Sequence, residues 1–248
     1  MGGPFWTPRL SMASSATSAQ SGNQLLARLP KAEQKRLLPL LQEVPLNLRT
    51  VLYKASATID QVYFPISGII SAMTVMEDGT AIEVATIGNE GVSGLTAFVG
   101  GKTSPYEVMV QVAGQALRMK VSDFKQEVSS DGALREILVR YNTAFSTQVS
   151  YSVACNGLHT VEKRCCRWLL MTHDRVGADV LPLTHEFLAI MLGVRRASIT
   201  EVLQPLQERE VIRSVRGKIE VLNRRALESL SCECYRAVVR EFTRQFGD

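Results

Sequence analysis

The stretch LTHEFLAIMLGVRRASITEVLQPLQEREVI, residues 183–212, sets two arginines just after a glycine and between two short helical patterns. Ala189 is small enough to let two helices cross, Gly193 falls four residues on, and Ile199 and Val202 fall where a second helix must pack back. Thr184 is placed to cap the first helix, and Glu186 puts a carboxylate in its first turn, where the helix dipole favours it. On that frame Arg195, Arg196, Ser198 and Thr200 project from the start of the second helix, with Thr184 and His185 at the start of the first. The width of such a helix suits the major groove of DNA, where an arginine fork bridges the two acceptors of a guanine and hydroxyls are less selective. An arginine pair alone is also what a solvated helix start looks like. The helix-turn-helix frame turns the reading toward DNA.

Two neighbouring features refine that interface. RSVRGKIEVLN reads as a tight hairpin turning at Arg216-Gly217, with Arg213, Arg216 and Lys218 near its tip, a wing suited to phosphates rather than bases. Pro205 lies inside the second helix and is expected to bend or shorten its C-terminal end, confining base reading to residues before it. Residues 159–248 hold 15 Lys and Arg against 12 Asp and Glu, so this part carries +3 of the chain's +4. That excess is modest and gains meaning only from the motif.

The rest of the chain must position these groups. With 248 residues, 46% apolar and 21% charged, it reads as a globular protein of one or two domains, with no apolar run long enough to span a bilayer. MGGPFWTPRLSMASSATSAQSG, residues 1–22, is low-complexity and lacks the apolar core of a secretory signal, so it is expected to be disordered; Met12 is a second candidate start. Leucines at helical spacing follow over 23–44, interrupted by Pro30 and Pro39. From Val51 onward β-branched residues between glycine-rich corners predict short strands, clearest in a hairpin of 69–76 with 81–87 around Asp78-Gly79. A further strand pattern, YEVMVQVAGQALRM, closes the set and points to an antiparallel barrel or jelly roll.

A helix over 133–155 comes next. Leu134, Leu138, Tyr141, Phe145, Gln148, Ser152 and Cys155 recur at alternating gaps of four and three, the seam spacing of a parallel coiled-coil homodimer; packing on the chain's own strands is the alternative. Asn156-Gly157 is read as the break before a new helix near His159.

All five cysteines lie in the second half, an odd number that favours reduced thiols over a disulfide framework. Neither Cys165/Cys166 nor Cys232/Cys234 has the gap that lets two neighbouring thiolates share one tetrahedral ion, so no metal or other cofactor is expected. A thiol enzyme built on Cys165 or Cys166 is a possible third reading, but Val161, Cys165, Trp168 and Leu169 share one stripe, which makes packing the better account of Cys165. No nucleophile elbow, metal-binding histidine pair or phosphate loop is present, and the chain is read as a non-enzyme.

A β-roll, a long helix and a winged helix-turn-helix in this order resemble the Crp/Fnr family of bacterial transcription regulators, over about residues 25–245. The resemblance rests on VYFPISGIISAMTVMEDG, IGNEGVSG, NGLHTVEKRCCRWLLMTHDRVG and LGVRRASITEVL; with SCECY it looks most like the branch common in rhizobia. It implies an α+β chain: a tail over 1–22, a cyclic-nucleotide-binding-like antiparallel β-barrel or jelly roll over 23–130, a dimerisation helix over 131–157 and a DNA-binding domain over 158–248. It further implies a cytoplasmic homodimer on a near-palindromic double-stranded operator, with RNA polymerase as a partner and no membrane. The competing class is a ligand-binding or scaffold protein whose helix-turn-helix has lost DNA.

Departures from the family's pattern are specific. Leu95, in Ser93-Gly94-Leu95, stands where cyclic-AMP-binding members hold the ribose with glutamate, and Ser104-Pro105 stand where their phosphate-binding arginine falls. Between Asn89 and Met109 the one cation is Lys102, so a cyclic phosphate would be buried without a partner. No cysteine precedes Cys155 to hold an iron-sulfur cluster as in oxygen-sensing relatives, and His159, His173 and His185 all lie beyond the long helix, away from a haem site. Ala197 follows Arg196 where the cyclic-AMP members have a base-reading glutamate, and Glu201 replaces a second arginine. Any effector is expected near Gly88, Glu90, Gly91, Gly94 and Leu95, with Gln148 and Ser152 of the long helix.

Overall fold

A computed structural model describes residues 22–247. The tail and the alternative start at Met12 fall outside the described residues. Two compact units divide the chain, one holding residues 22–72 and 86–145, the other 73–85 and 146–247.

The first unit begins with α1 (Gln24–Ala27) and α2 (Lys31–Leu37), followed by a 3-10 turn at Leu38–Leu40 and strands β1 (Gln42–Leu46), β2 (Val51–Tyr53) and β3 (Gln61–Pro65). Then come β4 (Ile69–Val75), β5 (Ala81–Ile87), α3 (Leu95–Phe98), β6 (Glu107–Val112), β7 (Gly114–Lys120), α4 (Val121–Ser129) and α5 (Ala133–Leu158), of which residues 73–85 of the β4–β5 hairpin and 146–158 of α5 belong to the second unit. The strands form two sheets, ordered β1-β7-β3 and β2-β6-β4-β5. Neither closes on itself, so of the two expected forms the double-sheet jelly roll holds and the closed barrel does not. The β4–β5 turn has the expected chemistry: Gly79 takes φ 83°, and Asp78 Oδ1 accepts from Thr80 N at 2.9 Å.

Alternation fills the core. Val62 and Phe64 of β3 are fully buried, Phe64 lies opposite Leu117 of β7, and its ring meets Phe124 of α4 edge-on at 6.4 Å. Ser71, buried inside β4, donates to Gln111 Oε1 at 2.8 Å, so the polar group that interrupts this apolar strand is satisfied. Asn23 ties the start of the chain to the sheets. Its Oδ1 caps α1 by accepting from Leu25 N and Leu26 N, and its Nδ2 donates to Pro65 O and Gly91 O, both at 2.9 Å. Glu33 does the same for α5: its two carboxylate oxygens accept from Ala133 N and Leu134 N at 3.0 and 3.1 Å, a negative charge on the positive helix end.

Two expectations for α5 need correction. The helix does not break at Asn156-Gly157 but continues to Leu158, and His159 N closes its last turn on Cys155 O at 3.1 Å. A Cβ on Gly157 would meet nothing within 4 Å, so the glycine is merely a weak helix former there; the new helix starts at Thr160, whose hydroxyl accepts from Lys163 N. The stripe Leu134, Leu138, Tyr141, Phe145, Gln148, Ser152 and Cys155 is already buried by the chain itself, at 8% exposure or less throughout, so it is not a free seam. The face left open is Val139, Thr143, Ser146, Ser150, Val153 and Gly157, which has the same four-and-three spacing.

The second unit adds α6 (Val161–Val176), β8 (Val180–Leu181), α7 (His185–Leu192), α8 (Arg196–Glu208), β9 (Ile212–Val215), β10 (Lys218–Val221), α9 (Arg224–Leu230) and α10 (Glu233–Phe246), with its three strands ordered β8-β10-β9. A polar knot fastens α6, α9 and α10. The buried carboxylate of Asp174 meets Arg224 Nη2 at 2.6 Å and accepts from Tyr235 Oη at 2.9 Å, while Arg224 Nη1 donates to His173 Nδ1. That leaves His173 Nε2–H to donate to Asp179 Oδ1 at 2.8 Å.

Asn23→Ala is expected to lower the unfolding free energy by about 2 to 3 kcal/mol, read from urea titration, because it strands buried donors and acceptors on both sides of the amide. A change below about 0.5 kcal/mol would contradict the tie.

Candidate nucleic-acid interface

The turn between α7 and α8 is built as the residue types demand. Thr184 Oγ1 accepts from Phe187 N at 3.1 Å and starts α7; Gly193 ends it in the left-handed region at φ 60°, ψ 43°. Val194 N returns to Ala189 O at 3.0 Å, and Arg195, in extended conformation, opens α8. Ile199, Leu203 and Leu206 are the buried positions of α8; Val202 is half-buried, so Leu203 takes much of the packing expected of it. Pro205 does not stop the helix, which runs three residues further to Glu208. Its missing N–H leaves one carbonyl of the preceding turn without its helical partner but does not cap the element.

The exposed start of α8 presents Arg195 and Arg196, with Thr200 one turn on and Ser198 half-buried. Arg196 is 70% exposed and only 4.0 Å from Glu186, a loose surface pair that leaves the guanidinium free to move. The wing is β9 and β10, and its turn places Arg216 at φ 37° and Gly217 at φ 79°, both central residues on the left-handed side as a tight two-residue hairpin requires. A Cβ on Gly217 would lie 3.6 Å from Thr184 Cγ2, so the wing tip comes close to the start of α7. Arg216 and Lys218 are exposed, whereas Arg213 is committed: its Nε and Nη2 both donate to Glu220 Oε2 on the facing strand, at 2.9 and 2.5 Å.

His185 joins the two parts. Its Nδ1 is 3.3 Å from Thr200 Oγ1 on α8, and its Nε2 is 2.9 Å from Ser214 Oγ on β9. Gln207 Oε1 adds a second link by accepting from Ser214 N at 3.0 Å. Burial, and then the nearby charge of Arg196, lower the His185 pKa, so the ring is neutral at neutral pH and can accept as well as donate. The nine residues proposed from sequence therefore gather around one connected surface, with Arg213 and Thr184 serving it structurally.

Sequence reasoning missed what holds this surface from behind. Buried Arg164 of α6 donates from Nη2 to Leu192 O, one of the carbonyls that the end of α7 leaves open. Trp168 Nε1 donates to Glu83 Oε1 of β5 at 2.8 Å, both side chains being buried. A Cβ on Gly193 would fall 2.8 Å from Ile82 Cδ1 of the same strand. Residues of this outer hairpin and of the helix turn, among them Met76, Thr80, Ile190 and Arg196, line a cavity of about 790 Å³. The one visible signal was that Trp168 had to find a partner for its N–H.

The residues expected around an effector are distributed differently. Gly88, Glu90, Gly91, Gly94 and Leu95 belong to the first unit, Gln148 and Ser152 to the second. Glu90 Oε1 accepts from Gly88 N at 3.1 Å, and a Cβ on Gly91 would lie 2.3 Å from the Tyr141 hydroxyl. Leu95 is buried at the head of α3, and Ser104 Oγ is spent locally, donating to Tyr106 O at 2.7 Å. Burial pushes the Cys166 thiol up to about 12 and Cys165 well above its usual range, so neither is a thiolate nucleophile at neutral pH.

A jelly-roll unit followed in the chain by a winged helix-turn-helix defines a class: DNA-binding transcription regulators. Residues 163–230 match the Crp-like helix-turn-helix domain and residues 43–131 the cyclic nucleotide-binding domain. The global nitrogen regulator of Synechocystis is 22% identical over 200 residues, covering 77% of this chain and 88% of that protein. Transcriptional regulator SdrP of Thermus thermophilus is 25% identical over 197 residues, covering 73% and 94%. Among solved structures, FixK2 from Bradyrhizobium japonicum superposes with a TM-score of 0.67 at 17% identity, covering 77% of this chain and 98% of that one. The chain belongs to the Crp/Fnr family of transcription regulators.

Because the folded state holds His185 neutral, its pKa lies below the unfolded value, and its contribution to stability is full above about pH 6.5 and is lost as pH falls below that. Thermal unfolding from pH 7.5 to 5.5 should show this loss, and His185→Asn should flatten the profile; identical profiles for the two proteins would contradict the bridging role.

Proposed function

We propose that the protein acts as a cytoplasmic homodimer on a near-palindromic operator, with Arg196 reading a guanine edge and Arg195, Arg216 and Lys218 holding phosphates. The observation that carries this reading is His185 hydrogen-bonded to both α8 and the wing, because it fixes the base-facing helix and the backbone-facing hairpin as one surface. Ser198 and Thr200 lie beside Arg196 as secondary contacts, and RNA polymerase is the expected partner of a regulator bound this way. No helix among the described residues is long and apolar enough to cross a membrane.

Dimerisation runs through the open face of α5. Thr143 Oγ1 donates to Val139 O at 3.1 Å and Ser150 Oγ to Ser146 O at 2.9 Å, so two of its hydroxyls are turned back onto the helix and the stripe is small and effectively apolar. Val153, 63% exposed against 50% for Val139, is the more exposed of its two valines. The effector is not cyclic AMP on this reading, since Leu95 is buried, Ser104 is occupied by Tyr106, and Pro105 offers no N–H. Another ligand, or protein abundance with no ligand, is then what regulates the protein. Family resemblance supports the division at about residues 23–130, 131–157 and 158–248.

Val153→Glu should yield a folded monomer at micromolar concentration by light scattering; a dimer would place the interface elsewhere. Arg196→Ala should weaken the specific site by about 1 to 3 kcal/mol and relax one base pair, while Lys218→Ala weakens all duplexes alike and lowers the salt slope by about one unit. Equal losses on specific and scrambled duplexes for Arg196→Ala would make it a backbone contact, and no loss on either would leave a scaffold that no longer reads DNA.

A further inference from the structure

Four residues that the DNA-binding surface does not use converge within the second unit. Cys155 and His159 lie one turn apart at the end of α5, on one face, and Cys232 and Cys234 flank the first residue of α10. Their donor atoms all lie within 4.8 Å of one another, and three of the four side chains are buried. Cys155 Sγ is 3.4 Å from Cys232 Sγ, and Cys234 Sγ is 3.7 Å from His159 Nδ1. Around one tetrahedral zinc, with bonds of about 2.3 Å to sulfur and about 2.0 Å to nitrogen, donors stand about 3.5 to 3.8 Å apart. A disulfide needs about 2.05 Å between sulfurs, and a multi-iron cluster spreads its thiolates over several metals.

We propose that Cys155, His159, Cys232 and Cys234 bind a single zinc ion that fastens the end of α5 to the start of α10. The surroundings are those of a metal-bound imidazole: Glu233 Oε2 stands 3.3 Å from His159 Nε2, so the carboxylate holds the proton on that nitrogen and leaves Nδ1 facing Cys234 with its lone pair. Cys232 stands at the N-cap of the 14-residue α10 and Cys234 in its first turn, so the helix start fixes the spacing of the two sulfurs. Zinc binding sends the thiol protons to solvent; three thiolates and one Zn²⁺ leave a net charge of −1. Arg167 of α6, 4% exposed and with its Nε lacking a hydrogen-bond partner, supplies a buried positive charge in the same unit. With four protein donors and no open position, the site is structural rather than catalytic.

The test is metal analysis of the full-length protein purified under reducing, chelator-free conditions. One equivalent of zinc per chain is expected, and cobalt(II) in its place should give the intense visible bands of tetrahedral coordination with thiolate charge transfer in the near ultraviolet. Cys234→Ser and His159→Ala should lose the metal, Cys165→Ala should keep it, and His159→Cys should keep it while shifting the cobalt bands. Glu233→Gln should weaken zinc about 10-fold. A wild-type protein that carries no zinc and develops no tetrahedral cobalt spectrum overturns the assignment, whatever the variants do. So does one in which Cys155 and Cys232 are found oxidised to a disulfide, which would make the cluster a redox switch.

Discussion

The chain has to reverse at Gly193 in left-handed backbone, and it has to do so without a side chain. A Cβ there would sit 2.8 Å from Ile82 Cδ1, and φ of 60° is a conformation that other residues adopt only at a cost. The direction of α8 follows from that reversal. Arg164 holds the carbonyl of Leu192 immediately before it, Val194 N returns to Ala189 O immediately after it, and Ile199 and Leu203 then have one way to pack. The exposed arginines sit where they do because the chain bends two residues before them, as only glycine does easily.

Charge is distributed over this frame by engagement rather than by number. Arg213 is held along the wing by Glu220, Arg224 is held by Asp174, and Arg164 is buried behind the turn, so three cations of the second unit are structural. Arg195, Arg196, Arg216 and Lys218 remain exposed. A net charge of +4 over the chain would hardly mark a nucleic-acid binder; four accessible cations on one surface do so better. His185 contributes no charge at neutral pH and acts as a neutral hydrogen-bonding post between Thr200 and Ser214.

What was legible in the sequence was whatever short-range chemistry dictates. Thr184, Gly193, Asp78-Gly79 and Arg216-Gly217 announce their caps and turns because each conformation is set within four residues. The α5 stripe does not reveal what it faces, for a physical reason: four-and-three spacing is the same whether a helix faces its own core or a partner, and Gln148 and Ser152 on the buried side look no more polar than Thr143 and Ser146 on the open one. Asn156-Gly157 has the composition of a break, but glycine weakens a helix without ending it. The thiol cluster is invisible to the spacing of adjacent cysteines, since Cys155 meets Cys232 across 77 positions. His159, one turn from Cys155, was the available clue.

Selection of duplexes from a random-sequence library by the purified protein tests the central claim most directly, since it requires the helix, the wing and the dimer together. The account predicts enrichment of a near-palindrome whose half-sites lie about 10 base pairs apart, centre to centre, with guanine at one symmetric position that becomes degenerate when the Arg196→Ala protein makes the selection. Enrichment of no motif, or of a single unpaired half-site unchanged by that substitution, would contradict it.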